Sequence, residues 1–466
     1  MAELLLAHSL HLGLDPRGAA DRSPHPPLGL LVTAAELLRQ GLDVAVYDGT
    51  FGRVEDFAAA LAGHRPRRVA ILADPHNISQ KMCLTVWREA AQRMIGMAHD
   101  VGATVLVAGP DVTDHPAQYA REGVTVVIGE HDTAVEAWAR GEAPPPGRTT
   151  RPALTGLPFP AWDRVDMEAY AAMWRAAHGH WELNVSTARG CPFRCNWCAK
   201  PTWGRRYTVR PAEEVWAEID EARRRYRPDR IWFTDDIFGV HKDWLARFAD
   251  LASPNPLPFR CQSRADLLGD AHVVRDLARA GAAEVWLGAE SGSDSVLLAM
   301  DKDGTVAEIR EAARLLREHG IRTGLFLQLG YPGESVEDVL STVRLVRELR
   351  PDGIGVSVSY PLPGTAFFDR VVGPNAADAA DARWSGSMEN RLLFSSPYPQ
   401  GFYDAAREVL RAEHAVARFM TRPTLRGAAR LPWHLGRWPV ERARLWALGR
   451  EPTHSRTPHP DRTRDP

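Results

Sequence analysis

Two runs of alternating strand-like and helix-like segments, separated by Pro144-Pro145-Pro146-Gly147, constrain this 466-residue chain more than any other feature. Such alternation builds parallel sheets covered by helices. Three consecutive prolines cannot continue a helix and favour an extended spacer, which Leu157-Pro158-Phe159-Pro160 prolongs. In the first run, Glu3 to Ala7, Val44 to Tyr47, Val69 to Leu72, Thr104 to Val107 and Thr125 to Ile128 read as strands. Helices are expected from Pro26-Pro27 to about Gln40 and from Met82 to His99. Polar or glycine-bearing loops follow the strands, where open α/β sheets hold ligands. The second run starts at Leu183, with strand-like segments ending at Thr187, Thr234, Ser263, Gly288, Leu329 and Ser359. Between them, Val215, Ile219, Ala222 and Tyr226 recur at helical steps. Six βα units in a row predict a parallel barrel, complete or open, with its site at the strand carboxyl ends.

Composition is that of a globular protein, with 44% hydrophobic and 25% charged residues, and a net charge of -2 gives no overall pull toward nucleic acid or anionic lipid. The cations are nearly all arginine; Lys81, Lys200, Lys242 and Lys302 are the only lysines, as coding bias in a GC-rich genome would produce. Nothing approaches the roughly 20 apolar residues of a membrane span, and the short Leu4-Leu5-Leu6-Ala7 stretch lacks a signal-peptide cleavage site. A cytoplasmic protein is expected. From Val371 the alternation stops. Phe402 to Phe419 reads as a helix, and Arg422 to Pro466 carries ten Arg against four acids, with Trp433, Trp438 and Trp446 between them. That stretch fits a nucleic-acid or membrane-surface patch, or a helix with its Trp face on the barrel and its Arg outward, which is the expectation here. From Glu451 the Pro/His/Arg-rich tail is expected to be disordered.

The chemistry concentrates at Cys191, Cys195 and Cys198, three of the five cysteines within eight residues, directly after the first strand of the second run. Reduced clusters of this kind hold metal or do redox work. A zinc site wants four ligands, and no second pair stands nearby. Thiolates at short, uneven spacings hold four-iron clusters, and three of them leave one iron open. Cys261 is expected to face the barrel interior as a small hydrophobe and Cys83 to open a helix without a partner, while His115 and His131 are expected at the surface.

The Cys191-x3-Cys195-x2-Cys198 spacing after a barrel strand resembles the radical S-adenosylmethionine (SAM) superfamily. The resemblance implies a [4Fe-4S] cluster on the three thiolates and SAM chelating the open iron. Trp197 fits the aromatic before the last cysteine, where its ring and backbone would meet the adenine. Asp235 and Asp236 would meet the SAM ammonium, Arg264 the carboxylate and Glu290 the ribose side, with Gly330 letting backbone approach. The first run, through Pro26-Pro27-Leu28-Gly29-Leu30, Val107-Ala108-Gly109-Pro110 and Val127-Ile128-Gly129-Glu130, is similar to the cobalamin (B12)-binding domain of class B radical SAM methylases. Pro27, Asp74, His76, Gly109, Gly129 and Glu130 are its candidate cobalamin contacts. The Asp-x-His-x-x-Gly motif that supplies a histidine to cobalt elsewhere is missing, as it is in many members of that class.

The expected architecture is a Rossmann-like cobalamin-binding domain over residues 1–142, a linker over 143–175, a partial (βα)6 radical SAM barrel over 176–370, a helical segment over 371–450 and a tail over 451–466. The resemblance implies a C- or P-methyltransferase of biosynthesis: SAM is cleaved to a 5′-deoxyadenosyl radical, and methylcobalamin donates the methyl group. A cyclase or rearrangement enzyme with the same cofactors is the alternative, and a non-catalytic cobalamin or iron-sulfur module stands beyond that. Expected partners are a small-molecule or natural-product substrate and an electron donor such as flavodoxin or ferredoxin, with no nucleic acid. RNA methylthiolation fits poorly, since those relatives carry an N-terminal three-cysteine domain and only Cys83 lies there.

Overall fold

Leu4, Leu5, Leu6 and Ala7 are all buried because both faces of their strand are covered. Leu4 and Leu6 enter one apolar cluster and Leu5 and Ala7 another, as side chains alternate across a sheet sandwiched by helices. The computed structural model describes residues 3–151, 153–198, 203–204, 206–373, 383–421 and 425–450; the expected tail from Glu451 lies outside them. Five parallel strands, β1 (Leu4–Ala7), β2 (Val44–Tyr47), β3 (Arg68–Leu72), β4 (Thr104–Ala108) and β5 (Val124–Val126), form a sheet in the order β2-β1-β3-β4-β5. The fifth expected strand is shorter than its apolar run: Ile128–Gly129 leaves the sheet as β6 and pairs with β7 (Arg148–Thr149). Gly129 has φ +95 and lies so close to Thr149 that a Cβ would run into its carbonyl.

The second sheet begins with β8 (Glu182–Val185), after which a small hairpin, β9 (Ala188–Gly190) and β10 (Tyr207–Val209), rises from the strand's carboxyl end. It continues through β11 (Arg230–Phe233), β12 (Phe259–Ser263), β13 (Ala282–Glu290), β14 (Arg322–Leu329) and β15 (Gly353–Val358), all parallel in the order β15-β14-β13-β12-β11-β8. The sheet is therefore the open, six-stranded form of the expected barrel. Ile231 and Phe233 face the helices, where Phe233, Phe248 and Phe259 pack ring to ring. Cys261 shares a face with Phe259 by strand alternation, so it is buried against the helix layer and not in the barrel interior.

Inside the barrel the strand starts carry charge. Glu182 receives Arg260 at 2.7 Å, and Nε2 of His25, from the loop after β1, lies 3.4 Å away. That loop also accepts bonds from Trp174 and Asn184 through the carbonyls of Pro24 and Pro26, which seats the first unit on the open barrel. Also buried are His131, 3.0 Å from Thr33 Oγ1 of its own unit, and His115, 2.9 Å from Arg383 of the segment after the barrel, both expected at the surface. Loops that would meet solvent in an isolated domain here meet other parts of the chain. Cys83 does not open the helix, which runs Thr85–Asp100; it lies before it at φ +52, with its thiol 3.7 Å from Asp114.

At the end of the chain the Gln400–Thr421 and Leu425–Gly449 helices pack together. The expected inward Trp face is split: Trp438 turns inward and donates to Glu413 at 2.9 Å, but the other two do not. Trp433 and Trp446 stand exposed, while Leu445 and Glu441 are buried.

Burial pushes the Glu182 carboxyl upward, but His25 and the charge of Arg260 outweigh it and hold the group down at about 2. Glu182→Ala leaves Arg260 and Arg230 facing each other, and is expected to lower the unfolding free energy by about 3 kcal/mol, read by urea denaturation.

Candidate active site

The cysteine loop leaves the β9–β10 hairpin at Gly190, whose φ of +80 and closeness to the Arg206 carbonyl leave no room for a Cβ. Cys191 follows at once and is buried; Cys195 and Cys198 are half-buried. A single ion held by three converging side chains is not found among the described residues. A four-iron cluster does not call for one, because each thiolate holds a different iron and the sulfurs stand apart around the cube. The surroundings suit three thiolates. Arg264 Nη1 donates to Cys195 Sγ at 3.5 Å, its guanidinium lies 3.9 Å from the centre of the Phe193 ring, and Lys302 lies close by. Cations beside thiols favour the ionised ligand form.

Arg264 and Glu290 are brought together through Lys302. Arg264 Nη2 donates to the Lys302 carbonyl at 2.5 Å, and Lys302 Nζ donates to Glu290 Oε1 at 2.9 Å. Burial works against the Lys302 charge, but Glu290 and Cys195 outweigh it and raise its pKa. Glu290 has φ +59, a left-handed conformation at the carboxyl end of β13. Arg264 is also held by Asp266 at 2.8 Å, so its guanidinium is turned to the cysteine loop. Trp197 differs from the expectation for its ring, which packs on the Val296, Met300, Tyr331 and Phe367 cluster. Gly330, at φ +79, donates its N–H to Glu334 Oε2 at 2.6 Å. Burial raises the Glu334 carboxyl to about 8.

The paired carboxylates divide their work. Asp235 is buried and accepts from the Thr187 and Ala188 N–H groups at 2.8 and 2.9 Å, as well as from the Ser186 and Thr187 hydroxyls. It anchors the turn that leads into the cysteine hairpin, with three of these bonds on Oδ1 and one on Oδ2. Asp236 takes Lys81 of the first unit at 2.7 Å, while its Oδ2 is buried without a partner.

Of the candidate cobalamin contacts, Pro27, Asp74 and His76 line one small hollow between the first unit and the barrel residues Asn184 and Trp232. Gln80 Nε2 and Asn184 Oδ1, both lining it, are buried without partners, as a site with polar ligand groups requires. His76 Nδ1 lies 3.3 Å from Thr234 Oγ1, and burial keeps its ring neutral. Gly109, Gly129 and Glu130 lie outside this hollow. Gly109 is fixed by backbone contact with Ala73, and Glu130 is turned to Arg189.

Arg189, two residues before Cys191, is the group that sequence reasoning missed most clearly. Its guanidinium is buried between Glu130 at 2.9 Å and Asp132 at 2.7 and 3.0 Å, both from the first unit, and lies 5.0 Å from the centre of the Trp203 ring. Lys81 and Lys302 were missed as well, although a signal existed. In a chain where arginine is the default cation, two of four lysines pair with Asp236 and Glu290.

Arg189→Met is expected to cost about 3 kcal/mol by taking the main cation from two buried carboxylates, with Arg151 left 3.7 Å from Asp132, and to lower the iron bound per chain after reconstitution. Glu334 gives a pH test. Its folded pKa is raised above the ordinary carboxyl value of 4.5, so its stabilising contribution is complete below 4.5 and is lost as pH rises through about 8. Thermal midpoints of the wild type should fall relative to Glu334→Gln across that window.

The family model for the radical SAM superfamily matches residues 185–346, and that for the B12 binding domain matches residues 16–139. The uncharacterized methyltransferase of Pyrococcus horikoshii is 25% identical over 387 residues, covering 75% of this chain and 79% of that protein. The anaerobic magnesium-protoporphyrin IX monomethyl ester cyclase of Cereibacter sphaeroides is 28% identical over 189 residues, 40% of this chain and 31% of the relative, so the chain spans under a third of its length. The solved structure of the radical SAM methyltransferase TsrM from Kitasatospora setae, with tryptophan substrate and a SAM analogue bound, has a TM-score of 0.63 at 20% identity, covering 96% of this chain and 88% of that one. That likeness is one of fold. With both family models matched in this order, the chain belongs to the radical SAM superfamily, in the class that carries a B12-binding domain ahead of the barrel.

Proposed function

We propose that this protein is a cobalamin-dependent radical SAM methyltransferase acting on a small molecule. The observation that carries the reading is the placement of the three-cysteine loop after the first strand of an open parallel barrel, with Pro27, Asp74 and His76 of the first unit lining a hollow closed on its other side by the barrel residues Asn184 and Trp232. When bound, the cluster supplies the single electron that cleaves SAM, and cobalamin supplies the methyl-transfer chemistry.

The chain's own residues hold and orient. Cys191, Cys195 and Cys198 would hold the cluster, and Arg264 and Lys302, which lie beside Cys195, would offset its negative charge. The unpartnered Asp236 Oδ2 is an acceptor for the SAM ammonium, Glu290 lies on the ribose side and Gly330 offers backbone approach. The Trp197 backbone stays with the loop while its ring packs beneath. Pro27, Asp74 and His76 line the cobalamin hollow. Arg189 is a positioning residue. A single-electron carrier of the flavodoxin or ferredoxin kind would be the reductant for a cluster bound there, in the cytoplasm. Among the described residues no helix is long and apolar enough to cross a membrane.

The second reading, ring formation or rearrangement, rests on the cyclase relative. Anaerobically reconstituted protein is expected to make 5′-deoxyadenosine from SAM, and Cys195→Ala to lose both the cluster absorbance and that product. With substrate and methyl-labelled SAM, label in the product supports methyl transfer, and label kept in methionine supports the cyclase reading. No 5′-deoxyadenosine from a cluster-loaded, reduced sample with substrate present refutes both.

A further inference from the structure

The Leu425–Gly449 helix turns its apolar side outward. At 3.6 residues per turn, Trp433, Leu435, Val440 and Trp446 fall on one half of its circumference, and the positions between them are glycine, alanine and proline. These four side chains are 54%, 52%, 63% and 44% exposed. The opposite half packs on the Gln400–Thr421 helix through Leu445, with Trp438 Nε1 donating to Glu413 at 2.9 Å. Of the eleven large hydrophobic side chains exposed among the described residues, five lie between Met420 and Trp446, so they form a patch and not a scatter.

The borders of the stripe are cationic. Arg437 and Arg444 flank one side and Arg442 the other, while Glu441, the helix's only acid, is buried on the inward face. Glu441 lies 2.9 Å from Arg437 and 3.8 Å from Arg444, and Glu408 of the neighbouring helix 3.5 Å from Arg437, so these three arginines outnumber the helix's single acid. Arg437 lies 4.8 Å from the centre of the Trp433 ring, and Arg442 4.9 Å from that of Trp438. A two-fold contact between copies would bring these arginine-rich borders toward one another, with Glu441 already engaged by its own helix. An anionic lipid surface answers each feature. The stripe from Pro432 to Ala447 is about 24 Å long, it is unbroken by a polar residue, and it carries tryptophan near both ends, where indoles favour the headgroup level. Arginine stems along its edges reach phosphates while their methylenes cover apolar surface.

We propose that the outward face of the Leu425–Gly449 helix docks this enzyme on an anionic membrane surface, lying in the headgroup layer without crossing it. The site is independent of the cofactor reading above.

The test is flotation of the full-length, cluster-loaded protein with phosphatidylcholine vesicles, with and without phosphatidylglycerol. The protein should float with the anionic vesicles and not the neutral ones, and added salt should weaken binding. Val440→Glu combined with Trp446→Glu should reduce binding about tenfold or more, while 5′-deoxyadenosine formation in solution is unchanged. Wild-type protein that fails to float with phosphatidylglycerol overturns the proposal, as does a double variant that floats equally well. A vesicle-free dimer that the double variant converts to monomer assigns the face to a second copy, and retention on DNA without vesicle binding assigns it to nucleic acid; either result overturns the proposal.

Discussion

A buried guanidinium holds the site to the rest of the molecule. Arg189 stands two residues before Cys191, in a hairpin strand of the barrel, and its carboxylate partners Glu130 and Asp132 come from the end of the first sheet. Taking three charges out of water is costly, and a lone member would be more costly still. Burial weighs against the guanidinium, yet the two acids hold it ionised, and Asp132 is held ionised in turn. The start of the cysteine loop is thereby tied to the first unit. Lys81 and Asp236 repeat the arrangement from the other side of the barrel mouth.

Around this tether the site is built from strand ends that each contribute one polar group to a shared space. Asp235 at the end of β11 fixes the turn into the hairpin, Arg264 after β12 meets Cys195, Glu290 at the end of β13 meets Lys302, and Gly330 after β14 meets Glu334. Arg264 and Glu290 are linked through Lys302, and Asp235 and Gly330 are each held by their own neighbours, so these groups are positioned before a ligand arrives. Parallel strands make this possible, because all of their carboxyl ends lie on one side.

The fold was legible where the signal was local. Val44–Tyr47 and the Leu28–Arg39 helix follow directly from apolar runs and a proline-marked start, and the three cysteines announce their chemistry by spacing alone. Partner choice was less legible. Asp235 and Asp236 are adjacent and chemically identical, yet one faces the turn of β9 and the other faces Lys81, since successive residues at a strand end point in different directions. His115 and His131 read as surface loop residues because a loop's sequence does not reveal that Arg383 or Thr33, far away in the chain, will cover it. At Trp433 and Trp446 the apolar stripe was visible in the spacing, but which half of the helix faces the protein depends on the neighbouring helix.

The sequence by itself determined two parallel α/β units, their order, the break between them and the three-thiolate loop, because periodicity, proline punctuation and ligand spacing are written within a few dozen residues. The tertiary structure alone decided which charges meet. Arg189 and Glu130 are 59 positions apart, and Lys81 and Asp236 are 155 apart. Nothing local couples such groups; only the seating of the first sheet on the open barrel places them within hydrogen-bond reach in a low-dielectric interior, where each can remain charged because the other is there.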